Sequence, residues 1–226
     1  MSARGPVAMN ATYLTNTVTN IEKSLMTTTR LFLCAALSAA CAGAYADPGI
    51  DTAKLTETVV SLADVSKPGQ PGKAFMAATI INAPVPKLCA MIQDYAAYPS
   101  FMPNVEKVAV LRKDDAAQVD MTLKLPLGKV KKYRLRMEPK VTAYHCQLSW
   151  KMLPWEGVKA EEAIADTTGF WLLAPNAADK TKTVVKYMVY TDPGPVPMGL
   201  GWIVDSMSRG SMPKTLEALR QRAAAQ

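Results

Sequence analysis

After Pro103, apolar and polar residues alternate over most of the stretch to Thr191, and no other feature constrains the fold as much. Val119, Met121, Leu123 and Leu125 fall on one side, with Gln118, Asp120, Thr122 and Lys124 on the other. Tyr133, Leu135 and Met137 oppose Lys132, Arg134 and Arg136 in the same way, and Tyr144, Cys146, Leu148 and Trp150 oppose Ala143, His145, Gln147 and Ser149. A period of two places alternate side chains on opposite faces of a strand. One apolar face per strand is the mark of an antiparallel sheet with one side against a core.

The flanking segments supply the rest of the architecture. Leu55 to Ala63, rich in Val and Thr, and Ala74 to Ile81 read as two strands joined by the turn formers Lys67 to Gly72. Asn82-Ala83-Pro84-Val85-Pro86 stops the second strand and opens a helix, since proline is tolerated in a first turn whose amides lack partners. Leu88, Met91, Ile92 and Tyr95 continue it at helical spacing, up to a proline-punctuated corner at Tyr98 to Pro103. Val158 to Asp166, Gly169 to Ala174 and Thr183 to Thr191 are expected to extend the meander, with Asn176 to Lys180 as a hairpin tip. Asp192 to Pro197 then breaks the sheet, and Trp202, Ile203, Met207, Leu216 and Leu219 mark a long C-terminal helix that Pro213 should kink or interrupt. The expected class is α+β: a curved antiparallel sheet burying its apolar face against the last helix. Space left between the two would form a cavity suited to an apolar ligand.

The N-terminal region reads differently. Met26-Thr27-Thr28-Thr29-Arg30 precedes an apolar run, Leu31 to Ala46, that is too short to span a bilayer and ends in Ala44-Tyr45-Ala46. This is the pattern of a secretory signal peptide cleaved near Ala46. Residues 1–25 are then an upstream extension or a misassigned start, 26–46 the signal, and 47–226 a single exported domain expected in the periplasm. Ser38-Ala39-Ala40 lacks the aliphatic residue that would mark Cys41 as a lipid anchor. Cys89 and Cys146 remain in the exported part, either as one disulfide or as two buried thiols packing as small apolar groups. The whole chain of 226 residues carries a formal +7, and the exported part stays mildly basic.

Thr79-Ile80-Ile81-Asn82-Ala83-Pro84-Val85-Pro86-Lys87-Leu88, then Asp94-Tyr95-Ala96-Ala97-Tyr98-Pro99-Ser100-Phe101-Met102-Pro103 and Val105-Glu106-Lys107-Val108, resemble the polyketide cyclase/coenzyme Q-binding group of the START-like (Bet v 1-like, SRPBCC) superfamily. Asp192-Pro193-Gly194, Val196-Pro197, Trp202 and Thr215 to Arg220 resemble its last strand and closing helix, so the likeness covers roughly residues 55–222. The resemblance implies a helix-grip fold, with a bent sheet around the C-terminal helix, two short helices at one end and a hydrophobic tunnel. It implies binding or transfer of a lipid, sterol, quinone or polyketide-like molecule, with a cyclase- or hydrolase-type reaction in the same tunnel as the alternative.

Residue chemistry favours binding over catalysis. His145 is the only histidine and alternation puts it on the polar face, and no C-x-x-C pair exists, so neither a metal site nor a histidine-based triad is expected. The glycines Gly194, Gly199 and Gly201 fit no phosphate-binding loop, and no cofactor is expected. The doublets Asp114-Asp115 and Glu161-Glu162 cannot face each other, since adjacent strand residues point apart. Glu162, alternating with Val158, Ala160 and Ile164, is the one carboxylate that could point inward, as a weak candidate for a general acid or base or for binding a ligand's polar head. Asp94 and Tyr98 are expected to pin the helix corner. The expected ligand wall is Met121, Leu123, Tyr133, Leu135, Met137, Tyr144, Cys146, Trp150, Phe170, Leu172 and Tyr187, with Met198, Trp202, Ile203 and Met207 at the gating start of the last helix. Thirteen methionines fit a wall that adapts its shape. Lys129, Lys131, Lys132, Arg134, Arg136 and Lys140 concentrate positive charge on one hairpin, either a solvated strand face or a dock for anionic lipid headgroups. Nucleic acid is not an expected partner of an exported monomer.

Overall fold

The alternating segments assemble into one sheet. The computed structural model describes residues 49–113, 116–195 and 201–225, with the backbone alone for 112, 113 and 201–208. The strands are β1 (Ser61–Asp64), β2 (Lys73–Ile81), β3 (Val105–Lys113), β4 (Ala116–Lys124), β5 (Val130–Val141), β6 (Cys146–Leu153), β7 (Asp166–Pro175) and β8 (Thr183–Asp192). Their order is β1-β2-β8-β7-β6-β5-β4-β3, antiparallel throughout. Between β2 and β3 lie α1 (Val85–Gln93) and a 3₁₀ segment, Tyr95–Ser100. The chain closes with α2 (Gly201–Ala225). This is a curved sheet gripping a C-terminal helix, the arrangement expected from the order of elements.

Two apolar layers hold it. On the concave face, Phe75, Val119, Met121, Leu135, Met137, Leu148, Trp171, Leu173 and Val185 are buried together with Leu88 and Ile92 of α1 and Met212, Leu216, Leu219 and Ala223 of α2. The spacing of those four α2 residues puts them on one helical stripe. Leu216 and Leu219 are fully buried, which is worth about 2 kcal/mol each by the area they remove from water. A disulfide between Cys89 and Cys146, with Cα atoms 5.9 Å apart, ties α1 to the first residue of β6. The convex face has its own cover: Ile50 and Leu55 pack over Met76 and Ala78, with Phe170, Val184 and Met188 around them.

Three expectations need correction. The strand read over Leu55 to Ala63 is reduced to Ser61–Asp64, preceded by a 3₁₀ turn at Thr52–Lys54. The intervening chain runs beside β2 instead, where the Ile80 amide donates to Thr56 O at 3.1 Å and the buried Thr79 hydroxyl meets the carbonyls of Thr56 and Val59 at 3.0 and 3.1 Å. The strand expected over Val158 to Asp166 is a turn up to Ala165, because the Glu162 and Ala163 amides both donate to Lys159 O at 2.9 Å. Only Ala163 bridges to β5, opposite Lys132, and β7 starts at Asp166. Finally, of the kink or interruption expected at Pro213, the interruption does not occur, and α2 runs through it as one helix. A proline there removes one amide donor but leaves the flanking turns able to continue.

Candidate ligand-binding cavity

Because the sheet curves away from α2, their facing surfaces do not meet everywhere. A cavity of about 840 Å³ remains, bounded on the helix side by Ser211, Met212 and Thr215. That volume lies within the range of small-molecule sites, about 300–1,000 Å³. Successive strands supply its floor: Val119, Met121 and Leu123 from β4, Tyr133, Leu135 and Met137 from β5, Trp150 from β6, Trp171 from β7, and Tyr187 and Val189 from β8. Tyr98, Met102 and Pro103 of the proline corner close one side. Strand register explains the convergence, since Tyr133 pairs with Met121, Trp150 with Met137, and Tyr187 with both Trp171 and Ala77.

The floor carries an aromatic run. Trp171 and Tyr187 stack with ring centroids 4.0 Å apart and planes 22° from parallel, and Trp150 lies 5.9 Å from Tyr187. Gly169 makes this possible by leaving open the space above β7 into which the Trp150 indole leans.

Polar groups are few and sorted by depth. The Tyr98 hydroxyl donates to Ile92 O at 2.5 Å, Thr167 to Tyr190 O at 2.8 Å and Thr215 to Ser211 O at 2.9 Å, so these hydroxyls serve the backbone. Tyr133 and Tyr187 have no hydrogen-bond partner among the described residues. Burial pushes the phenol pKa of Tyr98, Tyr133 and Tyr187 up, with neighbouring phenols adding to the rise at Tyr98 and Tyr133. All three therefore stay protonated at neutral pH.

Charge is confined to the rim. Lys73, Lys129 and Glu161 are exposed where they border the cavity. Lys131 is half-buried and donates to Ala163 O at 2.6 Å and Pro193 O at 2.9 Å, which pins the turn before β7 to the chain after β8. Burial lowers its pKa, while Asp192 and Glu161 push it back up. Glu162 also borders the cavity, but its carboxylate pairs with Lys132 Nζ at 2.7 Å, and that hydrogen bond holds its pKa below the usual range. It is an ionised rim group and not the inward carboxyl with a raised pKa that alternation allowed. Among the described residues, no cluster of three His, Cys, Asp or Glu side chains could hold a metal ion.

The sequence profile of the family described as polyketide cyclase/dehydrase and lipid transport matches residues 81–220, more than half of the chain. The chain belongs to this family. In fold it is similar to a STAR-related lipid transfer protein fragment from Xanthomonas axonopodis, at TM-score 0.63 and 18% identity, covering 73% of this chain and 93% of that one. Human StAR-related lipid transfer protein 5 gives TM-score 0.63 at 13% identity, covering 74% and 82%. The di-domain ARO/CYC StfQ of the steffimycin biosynthetic pathway gives 0.51 at 15%, covering 67% and 50%. These likenesses establish the START-like fold. No curated protein matches the chain in sequence.

Measured against this START-like cavity, the expected wall divides in two. Met121, Leu123, Tyr133, Leu135, Met137, Trp150 and Tyr187 line it. Tyr144 does not: β5 ends at Val141, and the Thr142 hydroxyl collects the amides of Tyr144 and His145 in a turn that leaves Tyr144 71% exposed. Cys146 has the right face but is bonded to Cys89 beneath α1. Phe170 packs on the convex face, and Leu172, two residues on, shares that face. Met198 lies outside the described residues, as do the side chains of Trp202, Ile203 and Met207.

Trp171 is the main lining residue that pattern reading missed. Phe170-Trp171-Leu172-Leu173 is an unbroken apolar run with no phase of its own, because the N-terminal segment covers the other face of β7. Phe75, Ile164 and the turn between β4 and β5, Leu125 to Lys129, also border the cavity. Nothing local in the sequence distinguishes them.

The basic hairpin is less free than composition implied. Arg134 makes a two-pronged pair with Asp120 at 2.6 and 2.8 Å and lies 5.0 Å over the Trp155 ring. Lys132 is paired with Glu162, Arg136 approaches Glu138 at 3.2 Å, and Lys131 is spent on carbonyls. Lys129 has no ion-pair partner among the described residues.

Proposed function

We propose that the protein binds an apolar small molecule in the cavity between sheet and C-terminal helix and transfers it to or from a membrane, outside the cytoplasm. The observation that carries this reading is the cavity itself, about 840 Å³ with an apolar and aromatic floor and charge only at its rim. A core collapsed to ordinary packing density would leave no such space. Membership of a family described as including lipid transport agrees with it. Export is supported by the signal-like segment before Ala46 and by the buried Cys89–Cys146 bridge, a bond that persists in oxidising compartments.

Membrane contact in this reading narrows to the turn between β4 and β5. Leu127 is 91% exposed at the cavity's edge, with Lys124 and Lys129 exposed on either side of it. An exposed leucine between two lysines suits an anionic bilayer surface, where each cation adds about 1 kcal/mol. Among the described residues no helix is long and apolar enough to cross a membrane.

The test is native mass spectrometry with organic extraction of the protein purified from its own cell envelope. One defined apolar molecule per chain is the expected result and names the cargo. An empty protein that also ignores a panel of lipids, sterols and quinones overturns the reading.

A further inference from the structure

The cavity's hydroxyls are not equivalent. Tyr98, Thr167 and Thr215 give their protons to backbone carbonyls. Thr191 lies 3.4 Å from the Thr167 hydroxyl, which leaves Thr191 as the donor of that pair. Tyr133 and Tyr187 line the same space with hydroxyls that meet no protein acceptor among the described residues. Their rings are fixed all the same: Tyr187 is stacked on Trp171, and Tyr133 sits in the register of β4 and β5 opposite Met121. Both residues are half-buried and their hydroxyls open onto the cavity, so water is their acceptor when the cavity is empty and is lost when an apolar molecule displaces it. Two such donors facing one cavity make sense if what enters it supplies the acceptor.

Charge narrows the acceptor. The Lys131 ammonium is turned to two carbonyls, and Lys73 and Lys129 are exposed at the rim. An ionised carboxylate or phosphate at the inner end would thus meet phenols and indoles and, in Lys131, only a cation already held by two carbonyls, at a high desolvation cost. A pure hydrocarbon would leave both phenols unmet. We propose that Tyr133 and Tyr187 are a donor pair that selects ligands, and that the bound molecule is apolar with an uncharged oxygen acceptor, such as a ketone or hydroxyl oxygen, at its inner end. The raised pKa of both phenols keeps them donors across the physiological range.

This inference rests on the cavity being a binding site, and the experiment separates the two. Binding of 1-acetylpyrene, of 1-ethylpyrene, which has the same ring system without the oxygen, and of the anionic 1-pyrenebutyrate is followed by energy transfer from tryptophan. The protein should bind 1-acetylpyrene about tenfold more tightly than either other probe, the equivalent of one well-made hydrogen bond. In the Tyr133→Phe, Tyr187→Phe double variant that ratio to 1-ethylpyrene should fall to within about twofold, with 1-ethylpyrene affinity unchanged. The single variants, each lacking one oxygen, should lose part of the ratio and guard against a folding defect in the pair. Equal affinity of the unmodified protein for 1-acetylpyrene and 1-ethylpyrene, or a ratio that survives in the double variant, overturns the donor pair while the cavity reading stands. Failure of all three pyrenes to bind overturns the cavity reading as well.

Discussion

Trp150 lies over Gly169, its directly paired residue on the neighbouring strand, so closely that a β-carbon at 169 would stand 2.3 Å from the indole Cζ2 and 2.2 Å from Met188 O. The glycine is thus a packing requirement: it makes room for an indole beside Tyr187 and lets β7 and β8 approach. Gly169→Ala should cost about 3 kcal/mol or more, since overpacking against backbone has no flexible side chain to absorb it. Trp150→Ala should cost about 3–5 kcal/mol by itself. The double variant should be no more stable than either single one, because the Met188 carbonyl clash survives removal of the indole. Urea unfolding of all three checks this, and restoration of stability in the double variant would refute it.

The Cys89–Cys146 bridge closes a loop of sequence separation 57 and joins α1 to the sheet under the buried core. In the chain-entropy account a loop of that length gains about 4 kcal/mol from the bridge. Cys89→Ala, Cys146→Ala should lower the urea midpoint accordingly, and a reductant should then have no further effect. Unequal responses to reduction and to the double substitution would show that the bridge acts through more than loop closure.

Stability should fall at alkaline pH in a specific way. The phenol pKa values of Tyr98, Tyr133 and Tyr187 are raised on folding, chiefly by burial. Groups of this sign contribute fully below the ordinary phenol pKa of about 10, and the contribution is lost as pH climbs above it towards the folded value. Tyrosinate absorbance at 295 nm should therefore show a late component that rises together with loss of the near-ultraviolet circular dichroism. Tyr133→Phe, Tyr187→Phe should move that component to higher pH. Early, reversible titration of every tyrosine in the folded protein would contradict the burial of these hydroxyls.

Leu127 offers a test of membrane contact that leaves the fold alone. It is 91% exposed and adopts a left-handed backbone conformation with φ of 61°. Leu127→Asp should change stability by less than about 0.5 kcal/mol, as surface substitutions away from packing do. Its binding to vesicles of anionic phospholipid, read by co-sedimentation, should drop several-fold. Lys129→Glu should act in the same direction and also weaken the salt dependence.

The interior anchoring of α2 is not legible in the sequence and comes from contacts far apart along the chain. Arg220 reaches Thr79 at 2.7 Å and also pairs with Glu217. Arg222 reaches Asp94 at 2.9 Å while lying 4.7 Å over the Phe101 ring. Asp94 pins the helix corner, as its position suggests, but it does so through a helix more than a hundred residues later.

What the sequence determined by itself was periodic and local. Alternation set the two faces of β4, β5 and β6, where polar residues occupy the outer side, and that is why pattern alone places Met121, Tyr133, Leu135 and Trp150 on the inner wall. Proline and glycine set the breaks. Tertiary structure decided wherever both sides of an element are covered, or where a segment's shape depends on distant partners. β7 has apolar residues on both faces because Ile50 and Leu55 cover its sheet from behind, so pattern could not choose Trp171 over Phe170. Glu162 faces Lys132 because the chain turns at Lys159 instead of extending, a choice made by hydrogen bonds to β5 that alternation does not encode. The cavity exists because the curved sheet and the last helix do not touch along their whole length, and curvature is a property of eight strands together.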